Sequence, residues 1–460
     1  MKIKATTLSA YNLLHQGSLV MAEMEANGIR VDIDYVKRTQ KKIAHRIEEM
    51  SEQLKNDKIY EIWKKEFGWK MKWSSRTQLA TILFDKMGYR SEKQTSTRQS
   101  ADADALEGLD LPFIRRYLQI EKLKKARSTY LANILRETVD EIVHPNFNLH
   151  LVQTFRGQSD HPNFTNVPMR DPLIKKLVRR SFIAREGHCI VDLDFKGSEV
   201  NAASWYHKDP VMLEYIKTDP GKMHFDAGKQ IYMLSSKQMT PEIRYCAKNM
   251  FVFPQFYGDW WLSCARNLWQ TIERKKLKTA NGIPLKKWLE KQGVVCLGTG
   301  DPKDVDPESF EAHIKEVEHD FWYNRFSVYQ EWKEEWWEKY QERGWFQMLT
   351  GYVVSGYINR KQCINWPVQG TAFHCLLWSL IRISQLLKKY KMKTKLIGQI
   401  HDDAVSDTPE KELQDYIEIA MRVITVELKK HWPWIIIPMK VEVEVTPVGG
   451  SWYDKKEYKI

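Results

Sequence analysis

The sequence is poor in cysteine and lacks any long apolar run. Its 460 residues include six cysteines, and none of them forms a C-x-x-C pair. A zinc site is therefore not expected, and the thiols are predicted to be free in a reducing interior. No signal-peptide core follows Met1-Lys2-Ile3-Lys4, and no stretch reaches the roughly 18 apolar residues of a membrane span. We therefore expect a cytoplasmic protein with no membrane partner.

Basic residues outnumber acidic ones, 71 to 59, which gives a formal net charge of +12. This excess favours a polyanionic partner, although an anionic membrane surface or a merely basic soluble protein would also account for it. Hydrophobic residues make up 43% of the chain and charged residues 28%, as in soluble globular proteins. The length allows a sizeable core and more than one domain.

Residues 1–150 are predicted to be helical. One helix ends at Asn27-Gly28, and a second begins at Asp32 or Asp34. Ser75-x-x-Gln78 has the pattern of a capping box before a third helix. A later helix, about 112–135, is rich in Lys and Arg, which is as consistent with a solvated face as with a binding one.

Three short strands are predicted further along the chain. Cys189–Asp194 forms one, and Met439–Val445 forms another. Lys395–Ile400 begins a hairpin that turns at His401–Asp403. Acidic residues therefore lie at the ends of two strands.

The block between these strands is predicted to be mostly helical. Aromatic residues from Trp322 to Tyr340 recur at helical spacing and are predicted to form core. Residues 273–306 are rich in Lys, Gly and Pro, and are predicted to be an insertion or loop.

The acidic strand ends carry the chemical argument. Asp194 and Asp402 each follow an apolar run, and carboxylates held by rigid strands suit a hard divalent cation. Each of them taken alone is as well explained as a surface acid. Between them, Arg244 and Lys248 are four residues apart on one helix face, where they can bind polyphosphate. Together the four residues predict nucleotidyl transfer.

Three segments in this order resemble the signatures of the family A DNA polymerases, the family of bacterial DNA polymerase I and many phage replicases. Asp194-Phe-Lys-Gly-Ser-Glu199 is similar to D-Y-S-Q-I-E. Arg244-x-x-x-Lys248 running to Tyr257-Gly258 is similar to R-x-x-x-K-x-x-x-[FY]-x-x-x-Y-G, and residues 399–403 to Q-V-H-D-E. Weaker matches lie at residues 24–32, 122–130, 154–168, 349–351 and 365–371. The resemblance therefore covers nearly the whole chain.

The resemblance implies an α+β right-hand fold with an antiparallel-sheet palm, helical fingers and a helical thumb. The thumb and N-terminal helical region would span 1–150, the palm 151–215 and 346–460, and the fingers 216–345. The second palm segment would carry the metal-binding hairpin.

The implied function is a template-directed DNA-dependent DNA polymerase that adds dNTPs to a primer 3′-hydroxyl. The implied cofactor is Mg²⁺, as two ions, with Mn²⁺ as an alternative. The implied partners are DNA primer-template and dNTPs, bound by a monomer in a bacterial or phage-infected cell. The chain begins almost at the thumb, so we expect no proofreading exonuclease in it. A separate exonuclease, helicase or processivity factor is then a candidate partner.

The resemblance also assigns site residues. The catalytic residues would be Asp194, Asp402, Lys248 and Arg244. The metal ligands would be Asp194, the Phe195 carbonyl, Asp402 and Asp403. The nucleotide-binding residues would be His224, Glu199 as the gate against a ribose 2′-hydroxyl, Phe253, and Tyr257 near the templating base. The DNA-binding residues would be Arg156, Asn365, Gln369, Gln399 and His401.

Two departures from the family pattern leave questions open. The segment from Lys248 to Gly258 is one residue longer than the family's and contains Pro254, so we predict a π-bulge or kink near residues 250–254. Counting back from Gly258 makes Phe253 the nucleotide-stacking aromatic, which we favour. Counting forward from Lys248 gives Phe251 or Val252 instead. Asp192 is either a third acid near the metal site or a structural hydrogen-bond acceptor.

Two other functions compete with this interpretation. The first is a single-subunit RNA polymerase or primase-polymerase, against which Glu199 argues. The second is a catalytically inactive, polymerase-like DNA-binding protein, against which the retained Asp194, Asp402, Arg244 and Lys248 argue.

Overall fold

A computed structural model describes residues 5–91, 99–169 and 171–459 of the chain. It confirms the predicted α+β class. The α-helices are Thr7–Asn27, Ile33–Lys55, Lys58–Phe67, Arg76–Ala80, Ala103–Glu107, Pro112–Lys125, Ala132–Glu137, Pro172–Arg179, Ser198–His207, Pro210–Thr218, Pro220–Ile231, Pro241–Ala247, Phe253–Phe256, Trp261–Lys275, Leu285–Lys291, Phe310–His319, Ser327–Arg343, Arg360–Lys389, Leu413–Arg422 and Leu428–His431. π-Helical turns lie at Thr81–Lys86, Ala126–Leu131, Lys248–Val252, Asp320–Arg325 and Val423–Glu427. The strands are Ile29–Arg30, Thr138–Val139, Ile142–Val143, Asn146–Asn148, Gln158–Asp160, His188–Lys196, Trp345–Gln347, Val353–Ser355, Lys395–Ile400, Asp403–Pro409, Lys440–Val445 and Lys456–Glu457.

The main sheet has five strands and is antiparallel throughout. Its order is Lys456–Glu457, Lys440–Val445, His188–Lys196, Asp403–Pro409, Lys395–Ile400. The central strand His188–Lys196 is buried along most of its length, as expected of a strand covered on both faces. The predicted hairpin is confirmed, because Lys395–Ile400 pairs with Asp403–Pro409. The strands thus come from both segments predicted to form the palm.

The N-terminal region is mainly helical, as predicted, but it also contains the strands Ile29–Arg30, Thr138–Val139, Ile142–Val143 and Asn146–Asn148. The first helix ends at Gly28, whose φ of 57° favours glycine, and the Asp32 side chain caps the second. Ser75 caps the helix Arg76–Ala80 by accepting from the Gln78 N–H. The predicted reciprocal half of that capping box is wrong. The Gln78 Oε1 instead accepts from the Lys72 N–H at 2.8 Å and from the Trp63 indole at 3.2 Å, and the Ser75 N–H donates to the Lys72 carbonyl.

The aromatic stripe is core, as predicted. Trp322, Phe326, Tyr329 and Tyr340 are all buried, and the Trp322 indole donates to Gln255 Oε1 at 2.7 Å. The stripe therefore supports the segment that ends at Tyr257-Gly258 from behind. The predicted loop at 273–306 contains a short helix, Leu285–Lys291, because the fully buried Leu285 and Leu289 lie one helical turn apart. No helix in the described ranges is long and apolar enough to cross a membrane.

Two buried histidines lead us to expect acid sensitivity. Burial lowers the pKa of His374 to about 4 and that of His207 to about 3, below the ordinary value near 6.5. At pH values between 6.5 and its lowered pKa, each of these histidines is protonated in the unfolded chain but neutral in the folded chain. Stability should therefore fall as the pH falls below 6.5, by up to ~1.4 kcal/mol per pH unit for each histidine.

His374→Gln should remove one of these two contributions. Urea unfolding at pH 7, 6 and 5 would measure the slope of stability against pH, which we expect to be shallower in the variant. An unchanged slope would show that His374 does not titrate as its burial implies.

Candidate active site

The register of the central sheet brings the two distant acidic segments together. Asp194 lies opposite Asp403 on one side and opposite Glu442 on the other. Asp402 lies at the hairpin tip, where its carbonyl accepts from the Phe195 N–H at 3.2 Å. Antiparallel neighbours of this kind have side chains about 4.5–5.5 Å apart at Cβ. The acids at the two strand ends therefore face one site.

The electrostatics of the site suit a cation. Burial, followed by the charges of Asp192, Asp402 and Glu442, raises the pKa of Asp194 to about 6. Burial and the charges of Asp192 and Asp194 raise the pKa of Asp403 as well. Carboxylates this close repel one another when ionised. A divalent cation placed among them would relieve that repulsion.

The donor set fits a metal that takes few ligands from the protein. Within the described ranges, no group of three or more His, Cys, Asp or Glu side chains is arranged to hold an ion. Asp194 and Asp402 would supply one carboxylate each, and Mg²⁺ commonly combines one or two carboxylates with waters and substrate phosphates. Asp402 is already oriented, since its Oδ2 accepts from Ser198 at 2.7 Å and Arg156 Nη2 lies 3.6 Å from its Oδ1.

The contacts of Asp192 favour the structural alternative. It is 1% exposed, and its Oδ2 accepts from the Trp452 indole at 3.1 Å and from the Lys455 ammonium. Both partners come from the C-terminal segment. Asp192 is therefore a buried hydrogen-bond acceptor behind the site.

Glu199 forms a wall of the adjoining cleft, held by two neighbours. Arg156 Nη1 donates to its Oε1 at 3.0 Å, and the Tyr257 hydroxyl donates to its Oε2 at 2.5 Å. Asn365 Nδ2 donates to the Tyr257 carbonyl at 3.0 Å. The cleft has a volume of about 420 Å³, and Gln369 also lines it. Four of the predicted nucleotide- and DNA-binding residues thus line the same cleft as Gln369.

The predicted π-bulge is confirmed. Lys248–Val252 is a π-helical turn in which the Phe253 N–H donates to the Lys248 carbonyl. The turn accommodates the extra residue ahead of Pro254. Phe251 and Val252 are fully buried, whereas Phe253 lines the cleft. The structure thus leaves Phe253 as the candidate that a nucleotide can reach.

The basic side of the site lies beside Phe253. Lys248 Nζ sits 5.0 Å from the centre of the Phe253 ring, and the His224 ring contacts the same phenyl edge-on at 5.5 Å. Burial, Lys248 and Arg244 lower the pKa of His224 to about 4, so its imidazole is neutral near pH 7. Lys248 lines the cleft, but Arg244 and His224 are not among its lining residues.

Gln399 is the exception among the predicted DNA-binding residues. It is fully buried, so its side chain has no surface with which to contact nucleic acid. Its Nε2 instead donates to the His401 carbonyl at 2.5 Å. His401 has a φ of 51°, at the tight tip of the hairpin. Gln399 therefore holds the tip that carries Asp402, and its assignment as a DNA-binding residue remains a prediction.

Four residues around the site were not predicted from the sequence. Glu442 was detectable, because Lys440-Val-Glu442-Val-Glu444 alternates in polarity along a predicted strand and so places both acids on one face. Ser198, Lys455 and Arg179 carry no such pattern. Only the tertiary structure brings them to the carboxylates.

Comparison with known proteins finds matches among DNA polymerases. The model of "DNA polymerase family A" matches residues 33–281 and 322–454. DNA polymerase I of Bacillus subtilis is 27% identical over 450 residues, covering 95% of this chain and 45% of that protein. The thermostable DNA polymerase I of Thermus aquaticus is 24% identical over 462 residues, covering 96% of this chain and 48% of that protein. The chain thus spans about half the length of these relatives.

A solved structure shares the fold. The POL domain of Pol1 from M. smegmatis, in complex with DNA primer-template and dNTP, matches with a TM-score of 0.72 and 20% identity. The match covers 95% of this chain and 70% of that one. Residues 282–321, which the family model leaves unmatched, overlap the segment predicted to be an insertion.

Proposed function

The chain belongs to DNA polymerase family A, and on that premise we propose that it is a template-directed DNA polymerase that adds dNTPs to a primer 3′-hydroxyl. The observation that carries the proposal is the strand register that brings Asp194 and Asp402–Asp403 to one site beside the cleft. We assign the thumb to residues 1–150, the palm to 151–215 and 346–460, and the fingers to 216–345.

Asp194 and Asp402 would hold two Mg²⁺ ions, with the Phe195 carbonyl and Asp403 beside them. Bound metal would lower the pKa of the attacking 3′-hydroxyl and stabilise the leaving pyrophosphate. The protein itself contributes a rigid frame for the metal-binding carboxylates. The central strand and the hairpin fix the directions of the two carboxylates, and the Ser198 hydroxyl, 2.7 Å away, orients Asp402.

The fingers segment would bind the incoming nucleotide. Lys248 offers a point charge to the triphosphate and Arg244 a bidentate fork, with the neutral His224 beside them. Phe253 offers a face for stacking against the base. Glu199, held by Tyr257 and Arg156, would occupy the space that a ribose 2′-hydroxyl needs.

Arg156, Asn365 and Gln369 would contact the primer-template end. Every base pair presents N3 or O2 acceptors in the minor groove, so donors placed there sense pair geometry without reading sequence. Gln399 and His401 would act through the hairpin tip. Tyr257 would lie near the templating base.

Primer extension tests this function against its two rivals. Four templates that differ in the first unpaired base should each direct incorporation of the complementary dNTP by the wild type with Mg²⁺, and Asp402→Ala should not extend. Efficient extension with ribonucleotides would favour an RNA polymerase or primase-polymerase. DNA binding without any extension would favour an inactive DNA-binding protein. A mismatched primer end incubated without dNTPs tests for excision, which we do not expect.

Lys248→Ala should raise the KM for dNTP by about 10- to 100-fold, because it removes one of two charge-assisted contacts to the triphosphate. Steady-state extension at saturating primer-template measures the change. Lys287→Ala, which removes an exposed lysine elsewhere in the fingers, is the matched control and should behave as the wild type. An unchanged KM in the Lys248 variant would remove this residue from the nucleotide site.

A further inference from the structure

A buried group of charges lies directly behind Asp194, on the same face of the same strand. Asp192 is 1% exposed, and two residues of strand place it about 6.6 Å from Asp194 along the chain. The Lys455 ammonium, whose side chain is 9% exposed, contacts Asp192 and also lies 2.6 Å from Glu444 Oε2. Asp192 and Glu444 are register partners on neighbouring strands. One ammonium therefore bridges both strands two residues along from the register pair Asp194 and Glu442.

A second cation is buried against this group. Arg179 is 1% exposed and stacks on Trp452, with its guanidinium carbon 3.9 Å from the ring centre. Among the described residues, its Nε and Nη1 have no hydrogen-bond partner, and neither has Asp192 Oδ1. The acids that act on its charge are Asp192, Glu444 and Asp403. The guanidinium thus adds a fixed positive charge beneath the acids, while Lys455 is the direct partner of Asp192.

Buried charges such as these influence neighbouring sites more strongly than exposed charges do. Water does not screen them, so each shifts the potential at a neighbouring site by more than a surface charge would. A cation bound at Asp194 would be attracted by Asp192 and repelled by Lys455, both of which act on the Asp194 carboxylate. While both are present, the charge of Lys455 offsets part of the charge of Asp192. Removing Asp192 alone shifts this balance towards the positive charge.

We propose that Asp192 and Lys455 are positioning residues that set the affinity of the carboxylate site for divalent metal. Lys455 clamps the strand that carries Glu444 to the strand that carries Asp194, and its charge offsets that of Asp192. This inference rests on the proposed function, because it takes Asp194 and Asp402 as the metal ligands. It adds that the metal affinity depends on a charge pair that does not contact the metal.

The test is Mn²⁺ binding, followed by the EPR signal of free Mn²⁺. The full chain is held with a dideoxy-terminated primer-template and the matching dNTP, so that no turnover occurs. Asp192→Asn removes a buried negative charge and leaves Lys455 paired with Glu444 alone, so it should weaken Mn²⁺ binding by roughly 10-fold or more. The double variant Asp192→Asn/Lys455→Met removes both charges and should return the affinity to within about 3-fold of the wild type. A purely structural pair would lower stability without this recovery of affinity.

Three results decide the matter. A folded Asp192→Asn variant that binds Mn²⁺ as the wild type does, or a double variant as weak as the single one, overturns the inference and leaves the proposed function standing. A wild type that neither binds Mn²⁺ nor extends primers overturns both. If Asp192→Asn does not fold, Glu444→Gln takes its place, because it removes the more exposed partner of the same ammonium. A two- to threefold loss of affinity is then expected, and no loss overturns the inference.

Discussion

Replacing Asp194 with asparagine should reduce the rate of nucleotide addition by at least ~10³-fold, the scale on which loss of a major electrostatic contribution to a transition state acts. Asparagine keeps the shape of the side chain but not the charge that would hold a metal. The fold should not suffer, because Asp194 is crowded by Asp192, Asp402 and Glu442, which make its ionised form costly. We expect the melting temperature without metal to be unchanged or higher.

Single-turnover extension and thermal unfolding together measure both halves of this prediction. Glu457→Gln, on the edge strand of the same sheet, is the matched control, because it removes an exposed acid without touching the site. An Asp194→Asn variant that retains a tenth or more of the wild-type rate would rule out this carboxylate as a metal ligand. A variant that is inactive but unfolded would leave the decision to Asp402→Asn, measured in the same way.

Glu199→Ala should lower the preference for dNTP over rNTP by roughly 100-fold, the range over which small steric differences in a pocket discriminate substrates. The side chain is only 18% exposed, and the Tyr257 hydroxyl and Arg156 guanidinium fix its position. It therefore forms a rigid wall. Truncation opens the space that a 2′-hydroxyl would fill.

The ratio of kcat/KM for a matched dNTP and rNTP pair measures this preference. Glu199→Gln keeps the length of the side chain and removes its charge, so it should retain most of the discrimination. A loss of equal size in both variants would instead indicate that the charge of Glu199, and not its bulk, excludes ribonucleotides. An unchanged ratio in Glu199→Ala would contradict the gate altogether.

Local patterns in the sequence predicted the parts of the site that depend on local geometry. The hairpin followed from two apolar runs around a polar turn. The π-turn followed from the resemblance to the family pattern, which is one residue shorter between Lys248 and Gly258, together with Pro254. The burial of Gln399 was not predictable from its neighbourhood, because it depends on the packing around the hairpin tip. A local sequence pattern could predict the direction in which a side chain points. It could not predict which distant residue contacts that side chain.

Asp192 shows most clearly that local sequence patterns do not predict the distant partners of a side chain. Alternation along the strand placed it on the same face as Asp194, which left open both a third acid near the metal site and a structural hydrogen-bond acceptor. Its partners, Trp452 and Lys455, lie some 260 residues further along the chain, and no local signal links them to it. Ser75 shows the same effect on a smaller scale, since the Trp63 indole and the Lys72 N–H both donate to the Gln78 side chain that a capping box requires.

The most direct test is a crystal structure with Mn²⁺, a dideoxy-terminated primer-template and a matching dNTP, in which anomalous scattering locates the metal. We predict at least one ion coordinated by both Asp194 and Asp402, with a second about 3.5–4 Å away. Ions that contact only one of these carboxylates, or that lie elsewhere, would contradict the claim that the two strand ends form one metal site.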